Sequence, residues 1–247
     1  MKRRARIIVL SLLAAALMVL LWLLLASASS SPIRTDPIIS SSSSSAAEAA
    51  PADPRLAEAQ KQNTDTAAWL TVPGTNIDGP VLQAADNEYY LRRNALGQPS
   101  QEGCIYADYE CDLSSAELSM NTILYGHTFT RPGQDRNWGF GQLNRYLDPA
   151  FAQENSSLFL SVEGQMLTFQ VISAGTAVAD SEQASILATP SWEQQQELIR
   201  LANERNVLPG TLQASAGQKL LTLSTCTEDA DTRLLIIAQL ISGQEDS

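Results

Sequence analysis

The stretch KLLTLSTCTEDADTRLLIIAQLI, residues 219–241, governs how the rest of the chain is read. Lys219 to Thr225 is rich in Leu and Thr and reads as a strand ending at Cys226. Leu234 to Ile241 is nearly continuous Leu and Ile, as a strand buried on both faces would be. Ser224 and Thr225 alternate faces, so at most one of them shares a face with Cys226. Taken singly, Cys226 is more often a small buried hydrophobe, and Arg233 a strand-start side chain with its head in water.

Outward from this stretch the β pattern continues. Ser157 to Val162 and Gln165 to Val178 are apolar runs joined by Glu163-Gly164, which predicts a hairpin. Trp69 to Val72 stops at Pro73-Gly74, and Ile77 to Leu82 begins the next segment. Many short strands in one domain predict an all-β-dominated fold, a barrel or a sandwich. Two segments break the pattern. Asp53-Pro54 predicts an N-cap and first helical residue for a short helix to about Thr64. Pro190 to Asn206 carries Trp192, Leu198, Ile199 and Ala202 at helical spacing, with Ser191 and Gln194 as a capping box. Pro209-Gly210 closes that helix shortly before the Cys226 strand. His127, the only histidine, follows the strand-like run Asn121 to Gly126 and so sits where a strand opens into a loop.

The N-terminal fifth has a different character. Lys2, Arg3, Arg4 and Arg6 precede Ile7 to Ala26, twenty residues without charge and with Ser11 as the polar interruption. A helix of that length spans roughly 30 Å, the hydrocarbon thickness of a bilayer. The basic cluster predicts that residues 1–6 stay in the cytoplasm and that everything after residue 26 is outside, a single-pass protein of the cell membrane. Ala26-Ser27-Ala28 also fits signal-peptide cleavage, although cleaved apolar regions usually run about 7–15 residues. Either way the remainder is exported. Residues 27–52 are dominated by Ser and Ala and predict a flexible tether, which leaves 53–247 as the folded domain.

Beyond the first basic cluster, twelve positive side chains face 27 acidic ones, a surface that repels phosphate backbones and disfavours nucleic acid. Of three cysteines, Cys104 and Cys111 could pair or stay as two buried thiols, leaving Cys226 free for chemistry. No clustered Asp/Glu pattern of the calcium-loop kind occurs. A zinc site from Cys104, Cys111, His127 and Cys226 is disfavoured, because six residues separate the first two. The expectation is therefore no metal and no cofactor.

Thr-Leu-Ser-Thr-Cys with an Arg seven positions on, a Tyr-Gly-His at an upstream strand end, and an anchor with polar tether closely resemble the sortases, class B above all. The resemblance runs over about residues 60 to 243. It includes Ala68 to Asp78, Asp86 to Leu91, Gly103 to Asp108, Asn121 to His127, and the helix before the cysteine strand. Three departures stand out. Cys104 replaces a Ser or other small residue of many members, the stretch from Cys226 to Arg233 is one residue short, and the polar loop at 131–138 is long.

The resemblance implies a closed eight-stranded barrel with an N-terminal helix and an extra helix before the cysteine strand. It also implies a cysteine transpeptidase that cleaves a C-terminal sorting motif of secreted proteins after Thr. The acyl group then passes through a thioester to an amine of peptidoglycan precursor or of a pilin. Cys226, His127 and Arg233 would be catalytic, and Asn87, Leu91, Ser224 and Thr225 would line the peptide groove. The chemistry stands on physical grounds too, since an ordinary thiol is mostly protonated near pH 7 while an adjacent imidazole and guanidinium favour the attacking thiolate. An exported cysteine peptidase that lets water open the thioester is the alternative.

Overall fold

The computed structural model describes residues 53–114, 118–128, 139–179, 186–209, 217–227, 229 and 231–242. The expected cytoplasmic segment, membrane helix and tether lie outside these residues, as does the polar loop at 131–138. No helix among the described residues is long and apolar enough to cross a membrane.

Eight strands close into a barrel: β1 Thr66–Thr71, β2 Asp78–Leu82, β3 Ile105–Ala107, β4 Asn121–Tyr125, β5 Ser157–Val162, β6 Gln165–Val178, β7 Leu220–Cys226 and β8 Thr232–Ser242. Their order around the barrel is β1-β2-β3-β4-β7-β8-β6-β5, and β1 closes onto β5. The pairs β2/β3 and β4/β7 are parallel and the others antiparallel. Parallel neighbours need long crossovers, and this is where the non-β segments sit. Helix α3, Trp192–Arg205, precedes β7 and carries the full capping box: the Ser191 hydroxyl accepts from Gln194 N–H, and the Gln194 side chain accepts from Ser191 N–H. Helix α1, Pro54–Gln62, is capped by Asp53 as its sequence predicts.

Both faces of β8 are buried, and the reason is α3. Leu234, Ile236, Ala238 and Leu240 point into the barrel core with Leu221 and Leu223 of β7. On the outer face, Leu220 and Ile237 pack under Leu198, Ile199 and Ala202 of α3. A register shift between Val171 and Ser173 changes which residues of β6 face inward. Phe169 and Val171 lie in the core before it, and Ala174 after it. Such a bulge flips side chains between faces without changing composition. The 3-10 segment Phe140–Leu147 and helix α2, Pro149–Glu154, between β4 and β5, and the 3-10 turn Tyr89–Arg92, are additional to the elements expected from the sequence.

Candidate active site

Strand pairing brings the sequence-predicted residues together. Cys226 ends β7 and lies directly opposite Arg233 near the start of β8. The short connection is closed internally: Thr227 N–H donates to Thr232 O at 3.3 Å, Thr232 N–H to Asp229 O at 3.0 Å, and Asp231 N–H to Asp229 Oδ1 at 3.0 Å. The reduced Cys-to-Arg spacing is therefore accommodated in the turn, and the cross-strand pairing is kept.

His127 arrives from β4, which runs parallel to β7 with Tyr125 in register with Ser224. Gly126 N–H donates to Ser224 O at 3.3 Å, and Phe140 N–H to His127 O at 3.2 Å. Beyond it, the Thr128 hydroxyl donates to Cys226 O at 2.6 Å and touches the Thr225 hydroxyl, which itself donates to Gly126 O at 2.7 Å. These bonds tie the backbone on either side of the imidazole to the cysteine strand. The ring's Nε2 lies 2.8 Å from Leu91 O. A carbonyl only accepts, so Nε2 carries a hydrogen.

One cavity of about 290 Å³ is lined by Cys226, His127 and Arg233 together with Asn87, Leu91, Ser224 and Thr225. All seven residues expected at the site meet here. Thr225 lines it despite falling on the opposite face of β7 from Cys226, so the expectation that only one of Ser224 and Thr225 reaches this space is too strict. Leu91 has a double position: its side chain packs partly against the Leu82, Tyr90 and Tyr106 cluster, and its carbonyl holds His127. Tyr106, Tyr125 and Gly126 also line the cavity and were not singled out as site residues. The signal was there, because each lies within a string that carries the resemblance. A second cavity of about 440 Å³ borders on the same His127 and Gly126.

The three cysteines are free thiols, so Cys104 and Cys111 do not pair. Burial pushes Cys104 up to about 12 and Cys111 to about 11, which keeps both protonated and poor as nucleophiles. Burial likewise raises the phenol of Tyr106, beside Cys226 and Arg233, to about 12. Among the described residues no three His, Cys, Asp or Glu side chains converge as metal ligands do.

Gly103 is a positioning residue that sequence analysis missed. Its φ of +61° favours glycine, and a Cβ there would stand 2.9 Å from His127 Cδ2 and 3.0 Å from Leu91 O. Gly97 has a similar φ of +74° but open space around it. Gly103→Ala and Gly97→Ala are each expected to cost about 1–2 kcal/mol of stability from backbone strain. Only Gly103→Ala should also lower kcat/KM, by about tenfold or more, because it displaces the imidazole. Thermal melts and acylation kinetics on both variants check this; equal activity losses would remove Gly103 from the site.

No family model matches the chain. It is 28% identical over 191 residues to the sortase B of Listeria monocytogenes, covering 76% of this chain and 74% of that one. To the sortase B of Staphylococcus aureus it is 26% identical over 195 residues, covering 76% and 75%. Among solved structures, a Staphylococcus aureus sortase B–substrate complex superposes with a TM-score of 0.67 at 25% identity, covering 77% of this chain and 86% of that one. A Bacillus anthracis protein similar to sortase B gives 0.65 at 28% identity, covering 77% and 84%.

Proposed function

From its kinship with the class B sortases, of which this chain is a homologue, we infer that it is a cysteine transpeptidase acting on a peptide. Cys226 attacks as the thiolate the carbonyl carbon of a Thr in a C-terminal sorting motif of a secreted protein. Arg233, a charged multi-donor fork, stabilises the oxyanion and holds the peptide backbone. His127 gives a proton to the departing amine as the C–N bond breaks, leaving a thioester on Cys226. An amine of peptidoglycan precursor, or a Lys of a pilin, then attacks the thioester. Its proton passes to His127 and the sulfur leaves as thiolate. The second cavity bordering on His127 offers room for that amine.

What supports this reading is the convergence of Cys226, His127 and Arg233 on one cavity, with strand pairing holding the first and third opposite each other. The domain works outside the cell, tethered through residues 27–52 to a single-pass anchor at 7–26 with the N-terminus in the cytoplasm. The uncharged run behind a basic cluster is what favours that placement.

The test is mass spectrometry of the purified chain incubated with a library of Thr-containing peptides. An acyl adduct on Cys226 is expected, and adding a free amine should shift the product from acid to amide. If amine never enters the product, the chain is a peptidase that hydrolyses the same thioester. If no peptide leaves an adduct on Cys226, the enzyme assignment fails.

A further inference from the structure

Asp108 follows β3 and is 7% exposed, outside the lining of the Cys226 cavity. Its carboxylate accepts hydrogen bonds from the cavity side and from its own turn. Oδ2 accepts from Asn87 Nδ2 at 2.8 Å and from the Tyr125 hydroxyl at 3.0 Å, while Oδ1 accepts from Glu110 N–H at 2.9 Å. The main chain is pinned as firmly: Asp108 N–H donates to Ile123 O at 2.9 Å, and its carbonyl accepts from Gln83 Nε2 at 2.8 Å. A carboxylate held at both ends cannot swing to suit its neighbours. Its neighbours must suit it.

Two of those neighbours, Asn87 and Tyr125, do line the cavity. The Asn87 amide is oriented without ambiguity, since Nδ2 gives to Asp108 and Oδ1 accepts from Tyr109 N–H at 3.0 Å. An amide nitrogen has two hydrogens, so one remains to be offered elsewhere. A phenol has a single proton, and Tyr125 spends it on Asp108, so toward a ligand its oxygen can only accept. Burial and the nearby carboxylate raise the Tyr125 phenol further above its ordinary value, keeping that proton in place. Both groups lie within 3.0 Å of one oxygen atom, so donor and acceptor are close neighbours in the wall.

We propose that Asp108 is a positioning residue for peptide recognition, which makes Asn87 offer an N–H and Tyr125 an oxygen to an amide group of the bound peptide. The peptide C=O faces Asn87 and an N–H faces Tyr125. This inference rests on the peptide-transferase reading of the same cavity and adds a determinant of binding to it.

The test uses the full chain and whichever library peptide acylates Cys226. In Asp108→Asn, the fixed main-chain N–H of Glu110 claims the oxygen of the new amide, which turns its nitrogen against Asn87 Nδ2, and the wall loses its order. KM for the peptide is expected to rise up to about tenfold, the upper end of what one hydrogen bond between neutral groups contributes. The change in kcat should stay within about threefold, because Cys226, His127 and Arg233 are untouched.

The exchange Asn87→Asp with Asp108→Asn separates positioning from mere scaffolding. It restores every hydrogen bond among these groups, so the melting temperature should recover. Tyr125 now accepts from the new amide and turns its proton toward the ligand, so KM should stay high. Recovery of KM along with the melting temperature would reduce Asp108 to a structural role, as would an unchanged KM in the single variant. Absence of acylation in the wild type strikes the transpeptidase reading instead. In that case N-methylacetamide, titrated against the Asn87 side-chain NMR resonances of wild type and Asp108→Asn, still reads the wall. Equal shifts in the two proteins would overturn the proposal.

Discussion

Replacing Cys226 with Ala is expected to abolish the acyl adduct and to lower peptide transfer by about 10⁴-fold or more, while the fold survives. The size of the loss follows from what disappears. Without a nucleophile the remaining machinery offers only binding and charge stabilisation, and nucleophile-less variants of serine proteases retain little else. The fold survives because Cys226 is only half-buried at the end of β7, and the turn bonds from Thr227 and Thr232 do not use its side chain. Removing one sulfur there should cost less than about 1 kcal/mol. A labelling experiment makes the assignment independent of any substrate. At pH 8, thiols raised to about 11 and 12, as Cys111 and Cys104 are, are overwhelmingly protonated. Iodoacetamide should therefore modify the wild type once, at Cys226, and the Cys226→Ala protein not at all. Transfer that persists in that variant, or labelling that falls on Cys104 first, would sink the nucleophile assignment.

The features legible in the sequence were those written in local chemistry. The Glu163-Gly164 hairpin, the Ser191 and Gln194 capping box and the Asp53 cap each depend on residues within a few positions, and each is present. The both-sides burial of β8 was legible from its Leu and Ile run, although not the identity of its cover. Composition cannot say that α3 supplies it. The bulge at Val171 and Ser173 left no mark, because it changes which face residues occupy and not what they are. Helical structure at Phe140–Leu147 and Pro149–Glu154 was missed for a related reason. Buried Phe140, Leu143, Tyr146 and Phe151 suit strand or helix equally, and tertiary packing decides.

At the site the same division holds. Cys226, His127 and Arg233 stood out as chemical types, and likeness to known motifs joined them. Gly103 and Asp108 act only through space, against an imidazole 24 positions away and an amide 21 positions away. Nothing in their immediate sequence requires either contact. Both nonetheless lie in the string Gly103 to Asp108 that supports the family likeness, so a motif can mark a residue before its role is visible.

Arg233→Lys is expected to slow acylation of Cys226 by about 10² to 10³-fold, although the charge is kept. A lysine ammonium is a compact point charge on a flexible stem, whereas guanidinium presents several donors in a fixed plane. An oxyanion forms at one place for a short time, and donors already aimed there stabilise it most. Arg233 is held in place across from Cys226. It is half-buried, faces Cys226 across the β7/β8 pair, and its Nη1 donates to Thr232 O at 3.3 Å in the turn beside that pair. A lysine keeps attraction for the developing charge and loses the fork, so the fall should be mainly in kcat, with KM changing less. Arg233→Ala should fall further, since charge and fork both go. Neither variant should melt more than a few degrees below the wild type, because Arg233 sits near the strand's start with the apolar core beginning at Leu234. Single-turnover acylation rates and melting curves for the pair decide the matter. If Lys preserves the rate to within threefold, charge alone suffices and the fork has no role. If Ala does so as well, the oxyanion must be stabilised by other donors, and Arg233 leaves the catalytic set.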